Sequence, residues 1–405
     1  MDARTHAPPA DPGEAACAAA IAEAASASEP LLVCGNGTKQ AMLRPVQAAR
    51  SLSTRHHSGI TLYAPKELII SARAGTPLPE IEAALTEHGQ HLIAEPPDYS
   101  ALLGAPDRPQ TIGGMIATNL SGPRRVAWGA MRDHLMGVRA VTGWGEIIHS
   151  GGRVLKNVTG LDLCKLLAGS HGTLAVITEV TLKVLPAPEA VGTLVLSGLD
   201  AAAGVAALSA ALGSPYSVSG AAWLPAEAAA RLPGLPPGRS ATLIRIEDFA
   251  ASVSYRTGKL RQELGFSPAD ILDDAASRPL WRAVRDARPL AAPPEHAVWR
   301  VSVRPSSGPH ILQAVERSGA GGFLDWGGGL VWLAGPATAT THDAIAGAAR
   351  AAGGTWTLLR APDTLRTAVA VVPPEPEPLA RITRRMKAAL DPRGVLNPGR
   401  IYAGL

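Results

Sequence analysis

The chain is poor in cysteine, aromatics and charge: 3 Cys, 4% Phe, Trp and Tyr, and 18% Asp, Glu, Lys and Arg in 405 residues. Cys17, Cys34 and Cys164 are too few and too scattered to staple a chain of this size, which fits a reducing compartment and predicts a cytoplasmic protein. A net charge of +4 spread along the chain, with so few aromatics, excludes a dedicated nucleic-acid surface, where basic residues gather and aromatics interleave. No apolar run approaches the ~20 residues that cross a bilayer; the weakly apolar stretch 201–212 is short and alanine-dominated. Residues 1–14 carry acids and prolines without an apolar core, so neither a signal nor a transit peptide is predicted. His-x-His and His-Glu-x-x-His spacings are missing, which argues against a metal site. What remains is 46% hydrophobic, enough for a packed core, over a length that predicts two to three domains at about 150 residues each.

Residues 1–25 are rich in Ala and Pro, and the run 16–25 predicts a surface helix ahead of the first strand. Strands are predicted at 31–34, 67–72 and 91–94. A helix begins after Thr76 and Pro77, presents Leu78, Ile81 and Leu85 on one face, and ends at Gly89. Leu174, Val176, Val180, Leu182 and Val184 recur at period two on one predicted strand face. Pro186 and Pro188 end that strand and place a domain boundary near 187. Beyond it, strands at 242–246, 298–303 and 329–333 alternate with helices at 201–212, 252–264, 341–352 and 379–390, an α+β pattern with two apparent repeats of order. In the last helix Leu379, Ile382, Met386 and Leu390 form a stripe expected to be core, or else a docking surface.

Four glycine-rich segments can carry chemistry. Gly35, Asn36, Gly37, Thr38 and Lys39 follow a strand, so their amide N–H groups can converge on an anion and Lys39 can add charge; an ordinary turn also satisfies this segment. The loop lacks the third glycine of a dinucleotide fingerprint, and no Walker A sequence occurs. Thr111, Gly113, Gly114, Thr118, Ser121 and Gly122 allow backbone to approach a flat or phosphorylated ligand, or build a bulged strand pair. Gly129–Asp133 with 151–157, and Gly169–Leu174, complete the set. Arg124, Arg125 and Arg132 follow the second loop; one of them can hold an anion, while an exposed ion pair or a partner contact serves equally. His56 and His57 read as a solvated turn, His171 as a structural histidine, and Cys34 and Cys164 as core thiols, the latter with Leu161, Leu167 and Ala168.

In order and spacing these segments resemble the FAD-binding domain of the vanillyl-alcohol oxidase/p-cresol methylhydroxylase (PCMH) type. Ser121–Arg125, 156–160, Val298–Arg300, Leu324–Gly328 and Asn397–Tyr402 narrow the resemblance to the FAD-binding E subunits of bacterial glycolate oxidase, from about Leu31 to Leu405. The resemblance implies an α+β fold: a two-subdomain PCMH-type FAD-binding domain over 26–187, after the segment 1–25, then a smaller α+β cap domain over 188–405 whose C-terminus returns to the flavin. It implies FAD held non-covalently, since the first loop carries Asn36 and Thr38 where some relatives carry an attaching histidine. Gly35–Lys39 are expected at the pyrophosphate; Thr111, Gly113, Gly114, Thr118, Ser121 and Gly122 along the flavin; Ile177 on the adenine side; Asn397 and Gly399 at the flavin edge. Implied partners are a second FAD-binding glycolate oxidase subunit, an iron–sulfur subunit and a small 2-hydroxy-acid substrate, with at most peripheral membrane association through those partners. Several relatives supply base and clamp from clustered histidines; His296, His310 and His342 are isolated here, so the hydroxy-acid chemistry is expected on the partner. A stand-alone dehydrogenase and a non-catalytic structural subunit are the alternatives.

Overall fold

Short apolar runs punctuated by glycine build the first unit of a computed structural model, which describes residues 11–152 and 161–405. Leu31–Cys34 and Arg50–Ser53 pair in parallel. A second, six-stranded sheet is centred on Ala175–Pro186, flanked by Ile69–Arg73 and Leu135–Thr142, with Gln90–Leu92 pairing at its end. The expected single face for Val176, Val180, Leu182 and Val184 does not form. Thr178 is an extra residue in the pairing with Leu135–Thr142, where Arg139 faces Glu179 but Ala140 faces Ile177. Such a bulge switches the face that later side chains take. Val180, Leu182 and Val184 enter the main core, whereas Val176 joins a smaller one with Ile21, Ala24, Leu31 and Leu396.

The alanine run folds as helix Pro12–Ala27, N-capped by Asp11. It stands ahead of the first strand with much of its surface exposed, as expected, and buries Glu14, Ile21, Ala24 and Ala25. The buried carboxylate of Glu14 pairs with Arg139 at 2.6 Å and accepts a hydrogen bond from the Thr178 hydroxyl at 2.6 Å.

The second unit is an antiparallel sheet whose chain runs strand–helix–strand–strand–helix–strand twice. Its first half holds Ala190–Ser197, Val218–Leu224, Ala241–Asp248 and Ala269–Leu272; its second holds His296–Ser302, Gly321–Asp325, Leu330–Pro336 and Thr355–Arg360. Each half is a split βαβ arrangement, and the two join edge to edge where Trp223 faces Leu324. Its eight strands equal those of the first unit, which has two in the parallel pair and six in the larger sheet, so this unit is not the smaller of the two. Helices Ala201–Leu212, Ala250–Leu264 and Ala339–Ala351 lie where the sequence places them.

The last helix, Glu377–Leu390, departs from expectation in burial. Leu379 and Ile382 are 48% and 53% exposed, while Lys387 is buried. The Lys387 ammonium donates to Asp391 at 2.6 Å and to the carbonyls of Thr173 and Leu396, a paired arrangement that makes a buried charge tolerable. From there the chain returns to the first unit, and Leu396 bridges Leu31 in parallel.

Candidate dinucleotide site

Strand Leu31–Cys34 delivers the first glycine loop to a cleft of about 770 Å³, closed on the other side by Thr111–Thr118, His171, Gly172 and the strand residues Ala175–Ile177. Gly35, Asn36, Gly37, Thr38, Lys39, Thr111, Gly113, Gly114, Thr118, Ile177 and Asn397 all line it. The amide N–H groups of Asn36, Gly37, Thr38 and Lys39 have no protein acceptor among the described residues. Gly37 sits at φ +74°, the left-handed geometry that lets successive amides point one way. The Lys39 ammonium donates to Gln110 Oε1 at 2.9 Å and lies beside the Thr38 hydroxyl at 3.4 Å. Burial pulls its pKa down to about 8, with Asp98 opposing the shift. Arg400, which the sequence reading passed over, is buried and donates to the carbonyls of Lys39, Gln40 and Arg44.

Thr111 caps helix Ile112–Thr118, accepting from the Gly114 amide at 3.3 Å. A Cβ on Gly113 would stand 2.6 Å from Ala74 Cβ and 2.9 Å from its carbonyl, so only glycine lets this helix lie against the strand beside it. A Cβ on Gly114 would face the cleft, 4.0 Å from Lys39 Nζ. Asn397 ties the returning C-terminus in place. Its Oδ1 accepts from the Val33 amide at 2.8 Å, and its Nδ2 donates to the carbonyls of His171 (2.8 Å) and Val33 (3.2 Å). Burial, then Arg400 and Lys39, push the His171 pKa down to about 3, so it is neutral.

Other expected residues lie elsewhere. Ser121 is buried away from the cleft and accepts from the Met131 amide. Gly122 packs on the Glu95 carbonyl, and its own carbonyl accepts from Trp326 Nε1 at 3.1 Å. Gly399 turns the chain at φ +71° without lining the cleft. Cys34 is not a core thiol: it is half-buried at the cleft wall, because the strand ends there and its last side chain has no layer to cover it. Leu161 is 83% exposed, one residue ahead of the helix cap Asp162, while Cys164 and Leu167 are buried as expected. His57 is no solvated turn residue; its Nδ1 lies 3.3 Å from Asp11, and only His56 is exposed. Residues 153–157 of the third glycine segment, and the stretch 156–160, lie outside the described residues. Among the described residues no His, Cys, Asp and Glu grouping could hold a metal, and no helix is long and apolar enough to cross a membrane.

The three arginines separate cleanly. Arg124 is buried and forked onto Glu247 at 2.6 and 3.0 Å, with His91 Nδ1 at 2.6 Å. Although burial alone would raise the Glu247 pKa, Arg245 and Arg124 hold it well below the usual carboxylate range. Arg245 in turn grips Glu95 at 2.9 Å through both terminal nitrogens, so these four charges pin the two units together. Arg132 is half exposed, 3.9 Å from Asp133. Arg125 alone lies over an aromatic ring, Trp326, at 4.8 Å from its centroid.

Residues 13–151 match the family described as the FAD binding domain. Over 388 residues the chain is 36% identical to the glycolate oxidase subunit GlcE of Escherichia coli (strain K12), covering 95% of this chain and 96% of that one. The chain belongs to the GlcE family. It is an FAD-binding oxidoreductase, with FAD as its cofactor. A D-lactate dehydrogenase of Archaeoglobus fulgidus is 36% identical over 160 residues, 39% of this chain and 34% of that one. A solved alkyldihydroxyacetonephosphate synthase shares the fold, with a TM-score of 0.69 at 17% identity over 94% of this chain and 74% of that one.

Proposed function

We propose that this chain is the FAD-carrying E subunit of a complex that oxidises glycolate or D-lactate-type 2-hydroxy acids, assembled with a second FAD-binding subunit and an iron–sulfur subunit. One observation carries the reading: the amides of Asn36, Gly37, Thr38 and Lys39, which have no protein acceptor among the described residues, line one cleft together with the Lys39 ammonium and Arg400. That donor set suits a diphosphate, which brings two negative charges and many acceptor oxygens. When bound, FAD supplies two-electron oxidation of a carbon–hydrogen bond next to a hydroxyl.

The residues around it bind and orient. The loop amides and Lys39 take the diphosphate, Gly113 and Gly114 let backbone run close to the ribityl chain, and Ile177 offers an apolar surface to the adenine side. Asn397 holds the Gly172 turn and the first strand at a fixed separation, which fixes the cleft width. We read the cofactor as non-covalently held, since Asn36 and Thr38 occupy the loop and burial raises the Cys34 thiol pKa, suppressing the reactive thiolate. We divide the chain near residue 187, with helix Pro12–Ala27 and the tail beyond residue 391 joining the first unit.

The chemistry on the hydroxy acid falls to the partner in this reading, because His296, His310 and His342 stand apart from one another in the sequence. The test is a visible spectrum of the purified chain before and after anaerobic addition of glycolate and D-lactate. A yellow chain whose flavin stays oxidised, but bleaches once the partner subunit is supplied, supports the assignment. Bleaching of the chain alone makes it a self-sufficient dehydrogenase, and a folded chain that stays colourless at saturating FAD overturns the cofactor reading.

A further inference from the structure

Helix Glu377–Leu390 has an inner face that the fold uses and an outer face that it does not. On the inner side Met386 and Leu390 pack against the core, and Thr383, Met386 and Lys387 line a cavity of about 1060 Å³ that shares His171 with the dinucleotide cleft. On the outer side Pro378, Ile382, Arg385 and Ala389 recur four, three and four residues apart, so they form one line along the helix, and all four are exposed. Leu379 and Arg381 flank that line; Leu379 is 48% and Ile382 53% exposed.

The line continues past the helix. The Gly143 amide donates to the Leu390 carbonyl at 2.8 Å, which sets Trp144 beside the helix end. Trp144 is 51% exposed, the most exposed of the eight tryptophans. Single apolar side chains at a surface need no explanation, but an indole and two aliphatic side chains along one element do. Arg381, Arg385 and Arg393 stand among them, exposed and with no carboxylate within ion-pair distance among the described residues. Arg384, round the side of the helix, is instead paired with Glu377 at 2.6 Å.

We propose that Trp144 and the outer face of helix Glu377–Leu390 dock an acidic, apolar-centred face of the second FAD-binding subunit. The inference rests on the reading of this chain as one subunit of a hydroxy-acid-oxidising complex, and adds where the partner sits. Three unneutralised guanidinium groups select an acidic counterpart, and tryptophan and arginine are the residues that interface centres favour. An anionic membrane fits less well. Arg385 lies on the same line as Ile382 and Ala389, whereas a helix lying in a bilayer surface keeps its charges on the face opposite its apolar one. The position also suits electron passage: one helix, about 10–12 Å across, separates a protein docked here from the cavity that meets the FAD cleft at His171.

The test is a binding titration, by biolayer interferometry, of the FAD-loaded full chain against the purified second FAD-binding subunit at about 50 and about 300 mM NaCl. The parent is expected to bind, and more weakly at the higher salt. Trp144→Ala, the pair Leu379→Ser with Ile382→Ser, and the pair Arg381→Glu with Arg385→Glu should each weaken binding about tenfold or more, and the charge reversal should also remove most of the salt dependence. Phe249→Ser, at a residue 71% exposed on another helix, should bind as the parent does. FAD content and Tm should be unchanged throughout. If the charge reversal fails to fold, Trp144→Ala and the serine pair decide. Subunit binding that survives all three changes overturns the proposal and leaves the complex intact, as does loss of binding to phosphatidylglycerol vesicles in variants that still bind the subunit. A parent that binds no partner subunit at either salt overturns the complex as well, while its retained FAD keeps the cofactor reading apart from both.

Discussion

Lys39→Met should weaken FAD binding and, more tellingly, flatten its pH dependence. Burial holds the ammonium of the empty cleft at about 8, against ~10.4 for an exposed lysine. A bound diphosphate supplies the counter-charge that the cleft lacks and draws the pKa back toward the ordinary value. The proton is then held more tightly in the complex than in the empty chain, so affinity is full below pH 8 and falls as pH rises through it. Each unit of separation is worth about 1.4 kcal/mol; complete recovery would weaken binding about 30-fold between pH 7 and pH 9.5. Solvent at the cleft mouth screens part of this, which leaves roughly 10-fold. Quenching of flavin fluorescence, titrated at half-unit pH steps, reads the dissociation constant directly. The empty chain must move the opposite way: unfolding releases the lysine to its ordinary pKa, so apo stability rises from pH 8 toward pH 10. A parent curve that is flat over this range, or a Lys39→Met curve that keeps the slope, refutes the assignment of Lys39 to the diphosphate.

Neighbouring glycines should respond differently to the same methyl group. Gly113→Ala forces the helix off Ala74 and is expected to cost about 1–3 kcal/mol in denaturant unfolding, whereas Gly114→Ala should leave the unfolding midpoint within about 0.5 kcal/mol and reduce FAD affinity by reaching into the cleft. Arg124→Met leaves the buried Glu247 carboxylate with Arg245 at 3.4 Å as its remaining charged partner and should destabilise the fold by about 1–3 kcal/mol in thermal unfolding, without changing the flavin spectrum of the protein that remains folded. Asn397→Ala removes three hydrogen bonds across the cleft, at about 1 kcal/mol each, and the chain should release FAD on gel filtration where the parent retains it.

Much of the fold and half of the site can be read from the sequence because they depend on local rules. The family resemblance carried by the order of the glycine segments puts Gly35–Lys39 and Gly113–Gly114 on one ligand, and both line one cleft, where a tight turn and a close approach favour glycine. Helical periodicity finds four helices of the second half of the chain to within two residues at either end and misses Asp274–Arg285. What escapes is whatever one residue or one distant partner decides. Thr178 as a bulge inverts the faces of the central strand, and nothing in a period-two pattern announces an extra residue. Lys387 is buried because Asp391 and two carbonyls from elsewhere receive it; Met386 and Leu390 of the expected stripe pack against the core beside it, while Leu379 and Ile382 at the other end of the helix are exposed. Arg400 enters the cleft from the far end of the chain; its signal is present in the Asn397–Arg400 text, but its role depends on the parallel bridge between Leu31 and Leu396.

The seam between the units shows why arginine-rich text after a glycine loop is ambiguous until partners are known. Arg124 and Arg125 are adjacent and equally charged, yet one is forked onto Glu247 and the other lies over an indole, with no carboxylate within ion-pair distance among the described residues. The difference arises from the second unit. Glu247 projects from strand Ala241–Asp248 and Arg300 from strand His296–Ser302, and only their docking assigns a structural role to one arginine and leaves the other open. A buried ion pair contributes little net stability over a well-packed apolar pair, but the Arg124–Glu247–Arg245–Glu95 chain fixes the orientation in which the sheet meets the dinucleotide unit. That orientation brings Trp326 under Gly122 and Arg300 toward Arg125. A paired replacement of Arg124 and Glu247 by Met and Leu should leave the unfolding free energy nearly unchanged. A double variant as destabilised as Arg124→Met alone would show that the pair holds the fold together rather than orienting it.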